Sequence, residues 1–185
     1  MALTELNPRR CFLLAVDLQE RLLQAVAQGS RVLDRATLMI RGAQLMGMPV
    51  VATTQYARGL GGLAQEAARL LGGIPLLDKV EFDCFASPAV RQAVAGLPAA
   101  VDTVVIVGVE SHICILQTAL GALRRGLRPW VVSDAVSSRA QEDHRAALAR
   151  LSAAGVPWGS AEMVLYGLLK RAGTPHFKAI LPYIK

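Results

Sequence analysis

The chain has 185 residues, 53% of them hydrophobic and 18% charged, and a formal net charge of +6. That length suits one compact domain with a full core, and that balance excludes an intrinsically disordered chain. No apolar run reaches the roughly 18 residues that a bilayer-spanning helix needs, so no membrane partner is expected. The short N-terminal apolar run contains Asp17 and is followed by no small-residue cleavage site, which speaks against an export signal. Three cysteines (Cys11, Cys84, Cys114) form neither a disulfide framework nor a C-x-x-C pair, so a reducing cytoplasm is the expected compartment. His112, His144 and His176 lie far apart, which speaks against a zinc site. The basic residues are scattered and accompany no nucleic-acid motif, so no nucleic-acid partner is expected despite the positive charge.

In chain order, "CFLLAVDLQ" (11–19) is an apolar run ending in an acid and predicts strand one. Residues 30–47 carry apolar side chains at helical spacing, with Ser30 as N-cap and Gly47 as stop. "MPVVATTQY" (48–56) is rich in β-branched residues and predicts strand two. The loop "RGLGGL" (58–63) leads into a short helix through about residue 71, and "IPLLDKVEF" (74–82) predicts strand three. A helix over 87–97 opens on Ser-Pro. Strand four is "DTVVIVGV" (102–109), followed by a helix over 110–125 that ends at Gly126. Strand five is 128–136, a helix follows over 141–154, a short strand six covers 156–162, and the last helix is 162–173.

Strand and helix alternate about six times, and the middle strands are continuous apolar runs, as strands buried on both faces are. The expectation is a three-layer α/β/α sandwich around a central, mainly parallel six-stranded sheet, Rossmann-like, in a single domain over 1–185. In such folds chemistry gathers beyond the carboxyl ends of the strands, at the switch point between the two halves. Strand one ends at Asp17, strand two at Thr54, Gln55 and Tyr56, strand three at Lys79, strand four at Glu110 with Cys114 just beyond, and strand five at Ser133 and Asp134.

An acid, a lysine and a cysteine gathered at one place form coherent equipment for acyl transfer. A helix N-terminus and a nearby ammonium favour the thiolate, so a lowered Cys114 pKa is expected. A carboxylate beside the thiol can take its proton and return it to a leaving nitrogen. Backbone N–H groups at the helix start can hold a developing oxyanion.

These residues resemble the isochorismatase-like cysteine hydrolases, a superfamily that includes nicotinamidases and N-carbamoylsarcosine amidase. The likeness rests on the acid in "LLAVDLQ", the lysine in "LLDKVEF" and the Gly-x-x-x-x-x-Cys element "GVESHIC", and it covers nearly the whole chain. "GVESHICILQTAL", "VVSDAVSSR" and the tail "HFKAILPYIK" look most like the isochorismatase domain-containing proteins. The resemblance implies a triad of Asp17, Lys79 and Cys114, an oxyanion hole from the backbone amides of Glu110 and Cys114, and a non-proline cis peptide at Val109–Glu110. It also implies a homo-oligomer, at least a dimer. Two departures narrow the activity. The nicotinamidase metal cluster Asp-x-His has no counterpart in "TTQYARGLGG", and isochorismatases that cleave an enol ether do not use the cysteine. Relatives tend to carry Phe-Ser where this chain has Phe82-Asp83, which bears on the pocket wall.

The activity so implied is hydrolysis of a small-molecule amide or related C–N bond through a thioester, with no metal and no organic cofactor. Gln55, Tyr56, Phe82 and His112 are candidate pocket residues. Cys11 and Cys84 read as structural, His144 and His176 as surface or interface residues, and Asp134 as a cap. The rival reading is a non-catalytic scaffold or interaction protein that retains the hydrolase fold.

Overall fold

The computed structural model describes residues 5–184. Its centre is a six-stranded sheet in the order β3-β2-β1-β4-β5-β6, with every neighbouring pair parallel. The strands are β1 (Cys11–Val16), β2 (Val50–Gln55), β3 (Leu76–Lys79), β4 (Thr103–Val109), β5 (Arg128–Ser137) and β6 (Trp158–Gly159). The order reverses between β1 and β4, so the two halves of the sheet open a crevice at the carboxyl ends of those strands. This is the expected Rossmann-like sandwich.

Both central strands are buried along their whole length, and their side chains divide between two cores. Leu13, Ala15, Val105 and Val107 face one layer of helices: α1 (Glu20–Ala25), α2 (Gly29–Leu45), α4 (Gln65–Leu71), α8 (Ala161–Leu169) and α9 (Pro175–Ile184). Phe12, Leu14, Val16, Val104 and Ile106 face the other: α5 (Pro88–Ala95), α6 (Leu116–Arg124) and α7 (Gln141–Ala153). The alternation follows from the two-residue period of a strand and requires the unbroken apolar runs seen in the sequence. No helix among the described residues is long and apolar enough to cross a membrane.

Several boundaries differ from expectation. Helix α2 starts one residue before Ser30: its N-cap is Gln28, in a left-handed conformation, so Ser30 is not the cap. Its far end is as expected, with Gly47 at φ +66 and Met48 N–H bonded to Ala43 C=O, the Schellman geometry that a glycine permits. Strands β3 and β6 are shorter than their apolar stretches, because edge strands keep only the residues that find a ladder partner. The short helices α1 and α3 (Ala57–Leu60), and the terminal α9 with Pro182 inside it, were not expected.

At the opposite end from the crevice, Asp102 ties three strands together. It accepts from Arg10, just before β1, and its Oδ1 lies 2.6 Å from Arg128 Nη2 at the start of β5. Its backbone bonds Arg10 C=O and Arg128 N–H at 3.0 and 2.8 Å. Burial works against the Asp102 charge, yet Arg10 and Arg128 together with Thr103 hold its pKa down at about 2. Because this folded pKa lies below the ordinary 3.8, the carboxylate stabilises the fold fully above that value and progressively less as the pH falls toward 2. Asp102→Asn should therefore lower stability by about 1 kcal/mol at neutral pH, the size of a partly exposed pair. Urea midpoints should show that gap closing between roughly pH 4 and 2; a gap independent of pH would refute the assignment.

Candidate active site

Three chain segments bring the predicted trio together at the crevice. Asp17 follows β1 directly and is fully buried. Its φ is +53, a left-handed conformation that an aspartate tolerates better than most residues. Lys79 is the last residue of β3, and only 3% of it is exposed. Cys114, 7% exposed, lies in a π-helical turn (Ser111–Ile115) between β4 and α6. The expectation was a regular helix from 110; the wider turn instead gives Glu110 C=O both Ile113 N–H and Ile115 N–H, each at 3.1 Å. Such π-bulges occur often at functional positions. The Val109–Glu110 peptide is cis.

The polar contacts converge on Asp17. Lys79 Nζ donates to Asp17 Oδ2 at 2.8 Å and Thr53 Oγ1 donates to Oδ1 at 2.7 Å. Lys79 Nζ also donates to Gln55 Oε1 at 2.7 Å. Cys114 lies near enough to Asp17 and Lys79 for both charges to act on its thiol. Gly108 makes the close approach of β1 and β4 possible. At φ +121, a Cβ on it would lie 1.8 Å from the carbonyl oxygen of Val16, which glycine alone avoids.

Burial opposes the Lys79 charge, but Asp17, Cys84 and Cys114 hold its pKa above the ordinary lysine value. The lysine is an ammonium. The expected depression of the Cys114 pKa is corrected. Burial and then the Asp17 carboxylate push it up to about 12, and the pull of Lys79 does not offset them. The resting residue is a thiol. Cys84 is likewise fully buried and pushed up to about 11 by burial, in keeping with a structural role.

The candidate pocket residues divide. Gln55 is drawn into the ion-pair network, with its amide Nε2 donating to Val80 C=O at 2.9 Å. Tyr56, left-handed at φ +42, and Phe82 are each about half exposed beside β2 and β3. His112 turns toward β5 and α7: Nδ1 lies 2.9 Å from Ser138 Oγ and Nε2 3.7 Å from Asp143. Glu110 Oε2 accepts from Arg139 N–H and Nε–H at 3.0 and 3.1 Å, which fixes the side chain away from acid–base work. Asp83 caps the 3₁₀ turn Cys84–Ala86 through Phe85 N–H and pairs with Arg124, so its place in the sequence reflects local structure. Asp134 accepts from Ala161 N–H at 2.7 Å, a cap on α8 and not on the turn after β5.

Sequence reading missed Gln19, Thr53 and the contact between Ser111 and His144. Fully buried Gln19 bonds Gln55 C=O, Gly61 C=O and Gln55 N–H, tying the loop after β1 to β2 and the glycine-rich segment. Its only signal was a second polar residue two places after Asp17. Thr53 was hidden within an apolar strand. Ser111 and His144, 2.9 Å apart (Oγ to Nδ1), join the π turn to α7, and His144 is only partly exposed. Among the described residues no cluster of three or more His, Cys, Asp or Glu is arranged to hold a metal ion.

Two outcomes follow from this geometry. Lys79→Met strands the buried Asp17 carboxylate and should cost about 3–5 kcal/mol in urea unfolding. Adding Asp17→Asn should recover a good part of that; an additive loss would mean that the two groups do not interact. Cys114 should react slowly with iodoacetamide near pH 8, with a rate that still climbs above pH 10. A plateau near pH 7 would show a thiolate the fold does not favour.

A family model described as the isochorismatase domain matches residues 11–163. Isochorismatase domain-containing protein 1 of Danio rerio is 36% identical over 99% of this chain, which spans 64% of that relative's length. A solved structure titled MAR1 ribonuclease, from Caenorhabditis elegans, superposes with a TM-score of 0.90 at 30% identity, covering 98% of this chain and 92% of that one. The YcaC gene product of Escherichia coli, titled an octameric hydrolase of unknown specificity, superposes at 0.91 with 20% identity, over 99% of this chain and 92% of that one. By its matched domain and by relatives that align over nearly the whole of it, the chain belongs to the isochorismatase-domain family.

Proposed function

We propose that the protein is a cysteine hydrolase of a small amide or related C–N bond, with Asp17, Lys79 and Cys114 as its catalytic residues. Family membership supports a hydrolase of the cysteine-hydrolase type. The observation that carries the finer reading is the buried Lys79–Asp17 pair with the Cys114 thiol at its side.

The raised thiol pKa is compatible with this chemistry. Losing a proton to solvent would leave a net negative charge in a buried site, whereas passing it to Asp17 leaves the net charge unchanged beside the Lys79 ammonium. The Cys114 sulfur attacks the carbonyl carbon as its proton moves to Asp17. The backbone amides of Glu110 and Cys114 hold the oxyanion. The C–N bond then breaks, and the leaving nitrogen takes the proton from Asp17. Water attacks the thioester with Asp17 as base, the C–S bond breaks, and the acid leaves as the thiol reforms. Gln55 orients Lys79, and Tyr56 and Phe82 form apolar walls at the mouth. The cycle calls for no metal or organic cofactor. The reading includes a reducing cytoplasm, which suits three buried free cysteines, and a homo-oligomer, with exposed Trp158, Met163 and Tyr166 as contact residues.

A second reading comes from the ribonuclease title of the C. elegans neighbour. The site argues against carrying that activity over: its one buried cation is committed to Asp17 and Gln55, and both ring nitrogens of His112 face β5 and α7.

A panel of small amides and ureides should give ammonia release from the wild type. Cys114→Ala should reduce it by at least about 10³-fold with an unchanged circular dichroism spectrum. No release from any member, together with RNA cleavage that persists in Cys114→Ala, would replace this reading with the second one.

A further inference from the structure

On the α7 side of the π turn lies a cavity of about 140 Å³, several times the volume of a water molecule. Its polar lining is Gln28 and Arg31 from the start of α2, Ser137 from the end of β5, and Gln141, His144 and Arg145 from the first turns of α7. The cationic groups there exceed their counter-charges. Among the described residues Arg31 has no carboxylate within ion-pair distance. Arg145 reaches Gln141 Oε1 at 3.2 Å and only the exposed Glu142, at 3.9 Å. The neighbouring acids are engaged elsewhere: Asp143 faces His112, and Glu110 holds Arg139. Ser137 gives its hydroxyl to Ala27 C=O at 2.6 Å. His144 Nδ1 is occupied by Ser111, and Nε2 has no hydrogen-bond partner among the described residues. Burial, then Arg31 and Arg145, hold the His144 pKa below the ordinary histidine value, as expected for an imidazole in a positive field with no anion nearby.

We propose that this cavity binds a small oxyanion of the phosphate type through Arg31, Arg145 and His144, and that its occupancy reaches Cys114 through the His144–Ser111 hydrogen bond. Two guanidinium groups supply forked donors suited to phosphate oxygens. An imidazole that is neutral without the ion becomes a third charged donor when a dianion arrives. Ser111 opens the π turn that carries Cys114, so a shift in the His144 ring moves the segment presenting the thiol. The binding claim does not depend on the hydrolase reading.

The test is a pH titration of the three histidine ring signals by NMR, in inorganic phosphate against chloride at matched ionic strength. The His144 pKa should rise by about one unit in phosphate while that of His176 stays fixed. The charged groups acting on His144 are Arg31 on α2 and Arg145 on its own helix, with Ser111 at its Nδ1 and the uncharged Gln28, Ser137 and Gln141 around the same cavity; all are common to both titrations, which differ only in the anion. Arg31→Gln and Arg145→Gln, both exposed positions, should each weaken phosphate binding about five-fold or more, with folding checked by circular dichroism. Identical His144 titrations in the two salts, or a phosphate shift undiminished in the double variant, would overturn the site. Phenyl phosphate that displaces inorganic phosphate identifies a phosphomonoester as the ligand; failure to displace it identifies the free ion. Alkylation of Cys114 at pH 9 should change at least about two-fold on saturation with phosphate and lose that change in the double variant. An unchanged rate with phosphate bound would overturn the coupling.

Discussion

The constraint on which the crevice depends is the ion pair between Lys79 and Asp17, with both side chains fully out of solvent. Taking two charges out of water is costly, and their attraction offsets the cost only when the remaining hydrogen-bonding capacity is also met. Here Thr53 takes the second carboxylate oxygen and Gln55 a second ammonium proton. Asp17 follows β1, Thr53 and Gln55 belong to β2, and Lys79 ends β3, so one charged cluster fixes the carboxyl ends of three neighbouring strands. Gln19 adds the loop after β1 to the same frame. An apolar cluster of equal volume would hold the sheet together at less cost, so the pair is better understood as positioning charge than as supplying stability.

The same pair governs what the thiol can do. A helix N-terminus and a lysine together predict an acidic cysteine, and the structure gives the opposite because desolvation and the carboxylate outweigh both. Lys79 is already compensated by Asp17, so the thiol meets a neutral pair and not a free cation. In the proposed cycle a thiolate becomes accessible when the Asp17 oxygen accepts the proton, which would turn the neutral pair into an ammonium facing sulfur. On that proposal, proton transfer within the cluster replaces ionisation to solvent, and the thiol would stay protected until a substrate carbonyl is positioned to receive the electron pair.

Much of this was legible in the sequence. Continuous apolar runs on β1 and β4 implied two buried faces, and hence the parallel sheet and its switch point. Once the strands were in register, Asp17, Lys79 and Cys114 fell at one edge, because Asp17 and Lys79 stand at strand ends and Cys114 lies in the turn that follows β4. What could not be read were features set by tertiary pairing. The length of β3 depends on how many of its residues find β2. The cap of α2 is a backbone conformation at Gln28 and not a side-chain type. Gln19, Thr53 and the Ser111–His144 contact are partners across the fold that leave no local pattern. The Cys114 pKa was misjudged for a related reason: sequence names the charges near a thiol, but not the water they displace.

Backbone strain completes the picture at the same edge. Asp17 and Tyr56, neither of them glycine, both occupy the left-handed region, at φ +53 and +42, each directly after a strand. Such conformations cost about 1–2 kcal/mol each and persist where surrounding bonds impose them. For Asp17 those bonds are its N–H to Thr53 C=O and its C=O from Gln19 N–H, together with both carboxylate oxygens. For Tyr56 they are its N–H to Lys79 C=O and the turn of α3 that closes on its own carbonyl. An extended backbone at position 17 would carry the chain on along the strand direction and aim the carboxylate elsewhere. The left-handed turn ends β1 abruptly and leaves the side chain between β2 and the π turn, where lysine and thiol both reach it. For Asp17, the network that fixes the charges therefore also holds the strained backbone.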